Sequence, residues 1–408
     1  MTEVTITRLG VQGDGIAEGP VFVPRALPGE QVTGTLSGQT LTDVKILTPS
    51  DRRVHPPCVH YKSCGGCQLQ HADDTFVAEW KLDVVRMALK AQGLAPEFRA
   101  IETSPATSRR RAGFAARRTK KAAMAGFHGR ASDTIVPVPD CQLVDPDILR
   151  GLPVAEALAV VGASRKTPLS VMVTATQTGL DVAVTQGKPL DGPLRQQLAA
   201  ICDQMGLARL TWGDEVVAMR APPVLDFGVA EVAPPPGAFL QATAHGQRVL
   251  TDAVREIVAG AGRVIDLFAG CGTFALPLAQ DAEVHAVEGE AAMLAALDAG
   301  WRHAQGLKRI TTEARDLFRR PLMPDEMAKA QALVLDPPRA GAQAQVAELA
   351  KADVPRIAYV SCNPVSFARD ASVLVSAGYD LGWIQVVDQF RWSSHVELVA
   401  CLTKSHMR

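Results

Sequence analysis

The chain has 408 residues, of which 47% are hydrophobic and 21% are charged, with a formal net charge of −1. This length exceeds one ordinary core, so two or three domains are expected in a globular protein. No apolar run reaches the roughly 18 residues that span a bilayer, and the start, Met1-Thr-Glu-Val, has no basic and apolar leader, so we expect a cytoplasmic protein with no membrane partner.

The first fifty residues alternate short β-rich runs with glycine turns. The runs cover residues 4–9, 21–23, 30–34 and 44–47, and Gly13-Asp-Gly15 separates the first two. Short strands at this spacing favour a small antiparallel barrel. Barrels of that size often present a curved face to single-stranded nucleic acid.

Four cysteines follow the barrel in an uneven arrangement: Cys58, Cys64 and Cys67 lie close together, and Cys141 comes much later. Four sulfur ligands suit either tetrahedral zinc or an iron–sulfur cluster. Zinc ribbons usually show two Cys-x-x-Cys pairs, and the second pair is absent here. Spacing alone, however, does not distinguish a zinc site from an iron–sulfur cluster. The Cys-x₃-Cys-x₂-Cys spacing of radical S-adenosylmethionine enzymes does not fit, and unligated thiols remain the simple alternative.

The middle of the chain contains a helical pattern and then a basic segment. Apolar residues recur at helical spacing from about residue 74 to 92. From Thr103 to Ser132 there is no acidic residue. Eight basic residues fall there: Arg109, Arg110, Arg111, Arg117, Arg118, Lys120, Lys121 and Arg130. A local cationic surface attracts a phosphate backbone even when the whole chain is neutral; a solvated face with scattered counter-ions is the alternative.

A strand pair is predicted over 169–175 and 180–184, and the proline-rich run 233–237 then marks a domain boundary. From Gln247 the pattern changes to alternating helices and strands. Further buried strands are predicted at 263–268, 283–288, 332–336, 356–361 and 396–402. This alternation predicts a doubly wound α/β domain whose ligands sit at the carboxyl ends of the strands.

A glycine turn follows the first strand of that domain. The run from Gly270 to Ala275 satisfies G-x-G-x-x-A, so NAD or FAD binding has to be considered. Asp266 precedes the turn, Glu288 ends the next strand, where a carboxylate can accept both hydroxyls of a ribose, and Asp316 marks a third acidic strand end. Acidic residues suit the sulfonium and adenosine of S-adenosylmethionine better than a pyrophosphate. Glycines that serve helix–sheet packing alone are the structural alternative.

The run Asp336-Pro-Pro-Arg339 narrows the chemistry. Adenine-amino methyltransferases carry an aromatic residue after the prolines to stack the target base. Because the residue here is Arg339, that reaction is disfavoured.

Cys362 ends a predicted strand just before Asn363-Pro364. The C5 carbon of uracil is a poor nucleophile, and adding a thiolate to C6 makes an enolate that can attack a sulfonium methyl. A base must then remove the C5 proton, and Glu397 is the candidate, with His395 as the alternative. A buried core cysteine and a surface salt bridge are the competing explanations for Cys362 and Glu397.

Four motifs together resemble the RNA uracil-5-methyltransferase family, whose members make 5-methyluridine. They are the run from Asp266 to Phe274, Asp-Pro-Pro-Arg-Ala-Gly at 336–341, Ser-Cys-Asn-Pro at 361–364 and His-Val-Glu at 395–397. The Phe239-Leu-Gln241 run resembles the family's entry to the catalytic domain. Thr243 and Thr273 stand where the family often has asparagine, which leaves those two side-chain contacts open.

The resemblance implies Cys362 as nucleophile, Glu397 as proton acceptor and six residues that contact the methyl donor or the base: Gln241, Phe268, Thr273, Glu288, Asp316 and Asp336. It also implies a [4Fe-4S] cluster on Cys58, Cys64, Cys67 and Cys141, as in the ribosomal-RNA members. The expected fold is multidomain. It has an RNA-binding TRAM-like barrel of the OB type (1–54), a central α+β domain with the iron–sulfur site and the basic patch (55–232) and a Rossmann-like α/β methyltransferase domain (233–408).

The predicted function is S-adenosylmethionine-dependent methylation of a uridine C5 in RNA, with 23S ribosomal RNA as the expected partner. The target uridine must leave its stack for Cys362 to reach C6. Nothing in the sequence demands more than a monomer. The alternatives are the same chemistry on transfer RNA, a non-catalytic iron–sulfur RNA-binding protein and a nicotinamide oxidoreductase.

Overall fold

The computed structural model describes residues 1–405, and it begins with a closed five-stranded barrel. Its strands are β1 (Thr2–Leu9), β2 (Gly15–Ala17), β3 (Val21–Val23), β4 (Gln31–Ser37) and β5 (Thr40–Thr48), joined in the order β1-β2-β3-β5-β4. Ile6, Val23, Val32 and Leu41 fill the interior. The small barrel expected from the first fifty residues is confirmed.

One helix and two very short strands follow the barrel and the first cysteines. They are α1 (Asp74–Lys90), β6 (Glu97–Phe98) and β7 (Glu102–Thr103). Asp73 caps α1 by accepting a hydrogen bond from the Phe76 backbone N–H at 2.7 Å, which satisfies a donor that the first turn leaves free.

The central part of the chain forms a seven-stranded sheet covered by helices. Its strands lie in the order β10-β9-β8-β11-β12-β13-β14. The strands are β8 (Arg111–Arg118), β9 (Ala123–His128), β10 (Ile135–Val136), β11 (Leu169–Thr176), β12 (Gly179–Thr185), β13 (Arg209–Trp212) and β14 (Glu215–Met219). The helices are α2 (Pro146–Leu149), α3 (Gly151–Gly162) and α4 (Gly192–Gln204). The predicted strand pair is confirmed as the antiparallel hairpin β11–β12.

The C-terminal part is a mixed sheet with helices on it, preceded by the small pair β15 (Leu225–Asp226) and β16 (Glu231–Val232). The strands are β17 (Arg263–Leu267), β18 (Glu283–Glu288), β19 (Ile310–Ala314), β20 (Ala332–Leu335), β21 (Arg356–Ser361), β22 (Tyr379–Asp388) and β23 (Leu398–Lys404). The helices are α5 (Ala244–Val258), α6 (Ala275–Leu278), α7 (Ala291–His303), α8 (Pro324–Met327), α9 (Gln343–Leu349) and α10 (Pro364–Ser376).

The strand order of this sheet is β19-β18-β17-β20-β21-β23-β22-β6. The first five strands run parallel, and β23 is antiparallel to β21. The amino end of β23 therefore lies at the same edge as the carboxyl ends of the parallel strands. For this reason Glu397, just before β23, can meet Cys362, just after β21.

The segment that carries α1, β6 and β7 packs on the C-terminal sheet. Both short strands pair in parallel with β22, and Val85 and Leu89 of α1 belong to the same core as β20 and β21. This segment falls within the range 55–232 that the sequence assigns to the central domain. No helix within residues 1–405 is both long enough and apolar enough to cross a membrane.

Candidate active site

A cavity of about 810 Å³ opens at the carboxyl edge of the C-terminal sheet. All eight residues predicted to bind the donor or perform the chemistry line it: Gln241, Phe268, Thr273, Glu288, Asp316, Asp336, Cys362 and Glu397. They come from segments that are far apart in the sequence. The sheet topology brings them together because each segment follows a parallel strand or leads into α5 or β23.

The glycine turn forms one wall of the cavity. Phe268, Gly270 and Gly272 have φ angles of +61°, +56° and +93°, which is costly for a phenylalanine. A Cβ at Gly272 would lie 2.8 Å from Leu297 Cγ, so only glycine fits there. The turn therefore faces the cavity. The Phe268 ring lies 5.5 Å from the Phe318 ring, measured between centroids.

The Glu288 carboxylate is fixed by the backbone at the end of β18. It accepts hydrogen bonds from the Gly270 N–H at 3.1 Å and from the Glu290 N–H at 3.0 Å. Asp266, by contrast, is fully buried on β17 and does not line the cavity. Burial, with Asp336 nearby, raises the pKa of Asp266 well above its usual value. Asp266 therefore lies beneath the turn and would not contact a bound methyl donor.

Three ionisable groups converge where the chemistry is expected. Burial, together with the Glu397 and Asp336 carboxylates, raises the pKa of Cys362 to about 12, while Arg339 opposes the shift. Burial and Glu288 raise the pKa of Asp336 to about 7. Burial and Asp336 also raise the pKa of Glu397. The Cys362 thiol is consequently protonated at neutral pH when the cavity holds no positive charge.

A buried hydrogen-bond chain supports Glu397. The Gln389 Nε2 donates to Glu397 Oε2 at 3.0 Å and to Gln241 Oε1 at 2.5 Å, and the Gln389 Oε1 accepts from the Ala242 N–H at 2.8 Å. Gln389 is 2% exposed and was not predicted from the sequence. The loop between β22 and β23 that carries it shows no motif ahead of His395.

Further unpredicted residues line the cavity around Cys362: Arg109, Phe239 and Phe390. Arg109 was predicted only as part of a basic patch, and Phe239 only as part of the entry to the catalytic domain. His395, the alternative base, also lies in this wall, with its Nδ1 at 3.3 Å from Arg339 Nη1. Partial burial and Arg339 lower its pKa.

The two threonines that stand where the family often has asparagine have different places. Thr273 lines the cavity. Thr243 is buried and caps α5, accepting a hydrogen bond from the Gly246 N–H at 2.8 Å. Thr243 is therefore a structural residue at the entrance to α5.

The basic segment divides into inward and outward side chains. Arg110 is buried, donating to the Gln241 carbonyl at 3.0 Å and to Gln247 Oε1 at 2.7 Å, and burial lowers its pKa to about 10. Arg111 donates to the Gly237 carbonyl at 2.7 Å. Arg118, Lys120 and Lys121 are exposed at the β8–β9 turn. The outward-facing cationic surface is thus smaller than the sequence suggests.

The four predicted cluster cysteines line one small cavity together with Tyr61, Phe127 and Leu143. None forms a disulfide. Burial raises the pKa of Cys64, Cys67 and Cys141, that of Cys67 to about 12. Within residues 1–405, no three His, Cys, Asp or Glu side chains stand close enough to hold a single metal ion.

The parallel sheet, the glycine turn and the acidic strand ends define the methyltransferase fold, here with a cysteine and a glutamate at the edge of the cofactor cavity. Residues 234–405 match the family model described as tRNA (uracil-5-)-methyltransferase. A protein of Rhizobium meliloti named an uncharacterized RNA methyltransferase is 44% identical over 98% of this chain and 99% of its own. A 23S rRNA (uracil(1939)-C(5))-methyltransferase of Chromohalobacter salexigens is 33% identical, covering 99% and 90% of the two chains.

A solved structure has the same overall fold. The Pyrococcus abyssi tRNA (uracil-54, C5)-methyltransferase, in complex with S-adenosyl-L-homocysteine, aligns with a TM-score of 0.76 over 98% of this chain and 99% of its own, at 21% identity. The chain belongs to the family of RNA (uracil-5-)-methyltransferases.

Proposed function

We propose that this protein methylates C5 of a uridine in 23S ribosomal RNA, with Cys362 as nucleophile and Glu397 as base. The observation that carries the proposal is the meeting of Cys362, Glu397 and Asp336 at the edge of one 810 Å³ cavity whose other wall is the glycine turn. The 23S RNA target is supported by the 33% identity to the Chromohalobacter enzyme across nearly both chains.

The donor half of the cavity suits S-adenosylmethionine. The Glu288 carboxylate is held by the Gly270 N–H in a position where it can accept hydrogen bonds from two ribose hydroxyls. The same wall also contains Phe268, Thr273, Asp316 and Asp336. When bound, this cofactor supplies a methyl group on a positively charged sulfonium. Because Asp336 and Glu397 raise the pKa of Cys362, a cation in this cavity favours the thiolate.

The Cys362 thiolate adds to C6 of the flipped uracil, which forms the sulfur–carbon bond and moves an electron pair onto the C4 carbonyl oxygen. C5 then takes the methyl group, and the methyl–sulfur bond of the sulfonium would break to leave a neutral thioether. Glu397 removes the proton that remains on C5, and the returning electron pair expels Cys362 as a thiolate. Gln241 would contact the base, which is supported by its hydrogen-bonded link to Glu397 through Gln389, and Arg109, which also lines the cavity, would favour the phosphate side of the RNA.

The cysteine site fits a [4Fe-4S] cluster by its donor chemistry. Four free thiols line one small cavity together with aromatic and aliphatic side chains. Cys58, Cys64, Cys67 and Cys141 would hold the cluster, which would brace this part of the chain. Iron and acid-labile sulfide in anaerobically purified protein test this part of the proposal.

The proposal also includes the division into 1–54, 55–232 and 233–408, the RNA-binding role of the barrel and action as a cytoplasmic monomer. The 5-methyluridine map of ribosomal and transfer RNA in a deletion strain tests the target. Loss of one position in 23S RNA is expected, and loss in transfer RNA instead would assign the other substrate.

Two substitutions test the chemistry. Cys362→Ala should lower methylation about a thousandfold or more, because it removes the thiolate that activates the ring. Glu397→Gln should accumulate a covalent RNA–protein adduct on unmodified RNA, visible on denaturing gels. Cys401→Ala is the matched control, since this half-buried cysteine of β23 does not line the cavity. Full activity of Cys362→Ala would end the proposal.

A further inference from the structure

We propose that Gln389 is a positioning residue that decides which end of the Gln241 amide meets the target base and that aims Glu397 at its proton. This inference rests on the proposed function and deepens it. Gln389 lies on the loop after β22, and its amide joins Gln241 and Glu397, which line the cavity and lie far apart in the sequence.

The orientation of the Gln389 amide is fixed at both ends. Its oxygen accepts from the Ala242 backbone N–H at 2.8 Å, and a backbone N–H can only donate. The Gln389 NH₂ group must therefore face the other way. It donates one hydrogen to Gln241 Oε1 and the other to Glu397 Oε2, so all its polar atoms are paired in a buried position.

This arrangement also fixes the Gln241 amide. Because Gln241 Oε1 is occupied by Gln389, the donor end, Nε2, remains for the cavity, and it makes no hydrogen bond to any residue between 1 and 405. A donor at this position matches a carbonyl oxygen of uracil. It opposes the amino group of cytosine, which is also a donor. Gln389 thereby favours uracil without touching it.

The second hydrogen of the Gln389 NH₂ group acts on Glu397, the proposed proton acceptor. A hydrogen bond donated to a carboxylate favours its charged form, and this is the form that can remove a proton. The ionisable groups around Glu397 in the cavity are Asp336 after β20, Arg339 further along the same loop, Cys362 after β21, His395 on its own loop and Arg109 from the central part. Gln389 is neutral, and it donates a hydrogen bond directly to Glu397.

Gly246 leaves the space that Gln389 needs. A Cβ at this position, in the first turn of α5, would lie 2.8 Å from Gln389 Cβ and 3.0 Å from both Gln389 Oε1 and Thr243 Oγ1, the cap of α5. Gly246→Ala therefore displaces Gln389 without changing its chemistry, and it also crowds the Thr243 cap. Alanine is also the better helix former, so this variant should not lose helix stability for reasons of propensity.

The test measures single-turnover methylation of a 23S RNA transcript between pH 5.5 and 9.5 with the full chain. Gln389→Met keeps the size of the side chain and removes its donor and acceptor. The acid limb of the rate profile should move up by about one pH unit, since Glu397 loses the hydrogen bond to its charged form. Gly246→Ala should move it in the same direction by a smaller amount.

A second measurement reports on base selection. A transcript spanning the methylated position is made with 5-fluorouridine or with 5-fluorocytidine at that position, and covalent conjugates are counted. Gln389→Glu cannot donate to Gln241, so the Gln241 amide should turn its oxygen to the cavity. The ratio of cytidine to uridine conjugates should then rise about tenfold or more over wild type.

Gln345→Met is the matched control, because Gln345 is equally buried and bonded at both amide ends to Leu322, but it lies on α9 outside the cavity. It should lose stability and keep the wild-type pH profile and ratio. The inference fails if Gln389→Met and Gly246→Ala both keep the wild-type acid limb and Gln389→Glu keeps the wild-type ratio. Conjugation through Cys362 in the wild type separates this outcome from failure of the proposed function.

Discussion

Cys362 lies where its surroundings oppose its ionisation. Burial and the two carboxylates of Glu397 and Asp336 together raise its pKa to about 12. A thiol of this kind reacts slowly in the empty protein, which protects it from oxidation and alkylation. Its reactivity should therefore depend on the charge of its neighbours more than on its exposure.

Asp336→Asn tests this dependence. Asp336 has a pKa of about 7, so it is mostly charged at pH 8, and its removal should lower the pKa of Cys362. At pH 8 each unit of decrease gives about ten times more thiolate. We expect iodoacetamide to label Cys362 several-fold faster in the variant, as measured by peptide mass spectrometry without cofactor. Asp353→Asn, at a side chain that is 98% exposed, should change nothing. An unchanged rate in Asp336→Asn would show that burial alone sets the reactivity.

The residues at strand ends could be predicted because their position follows from topology. In a doubly wound sheet, any polar residue just after a parallel strand reaches the same edge, so Glu288, Asp336 and Cys362 were predictable one by one. Gln389 was not. Its partner Gln241 lies 148 residues away, and no pattern in either segment indicates the contact.

At the scale of elements, α1 holds the loop that leads to Glu397, the proposed base. The Lys81 Nζ donates to Asp388 Oδ1 at 2.6 Å and to the Phe390 carbonyl at 3.1 Å, at the point where β22 ends. Both charged side chains are buried, at 0% and 2% exposure. The loop from Gln389 to Glu397 therefore begins at a fixed point.

Lys81→Met should destabilise the protein by about 3 to 5 kcal/mol, because it leaves Asp388 buried without its partner. Urea unfolding at pH 7 measures the loss. Lys90→Met, at the exposed last turn of the same helix, should stay within about 0.5 kcal/mol of wild type. A loss below about 1 kcal/mol for Lys81→Met would mean that Asp388 finds water or another partner.

The strands of the C-terminal sheet differ in how far the sequence predicts them. β18 and β21 have the predicted bounds, since both lie inside the sheet and have polar end residues that flank buried apolar ones. β19 was missed because it is an edge strand with alternating exposure. β22 was missed because Gly382 falls where its pairing with β23 is irregular, and the two-residue β6 carries no pattern at all.

Across the whole molecule, the cysteine segment contacts both the barrel segment and the loop from Gln389 to Glu397. Arg25 of the barrel segment donates to the carbonyls of Tyr61 and Lys62, each at 3.0 Å. The N–H groups of Gln68 and Leu69 donate to the Trp392 carbonyl at 2.8 and 3.0 Å. The loop that ends in Glu397 is thus bonded to the cysteine segment as well as to α1.

The net charge of −1 means that RNA must be attracted locally. The double variant Lys120→Glu/Lys121→Glu, at the exposed β8–β9 turn, should weaken RNA binding about tenfold and reduce the dependence of affinity on salt. Filter binding over a range of salt concentrations measures both. The double variant Lys90→Glu/Lys351→Glu, which changes the net charge equally at two exposed lysines away from the cavity, should leave both unchanged. Equal losses in the two proteins would point to net charge and not to a surface.

The most direct measurement traps the sulfur–carbon bond itself. Fluorine at C5 cannot leave as the proton does, so RNA that contains 5-fluorouridine should stay attached after methyl transfer. With S-adenosylmethionine present, we predict a stable RNA–protein conjugate whose mass maps to the peptide that contains Cys362. Absence of a conjugate, or attachment through another side chain, would contradict the account.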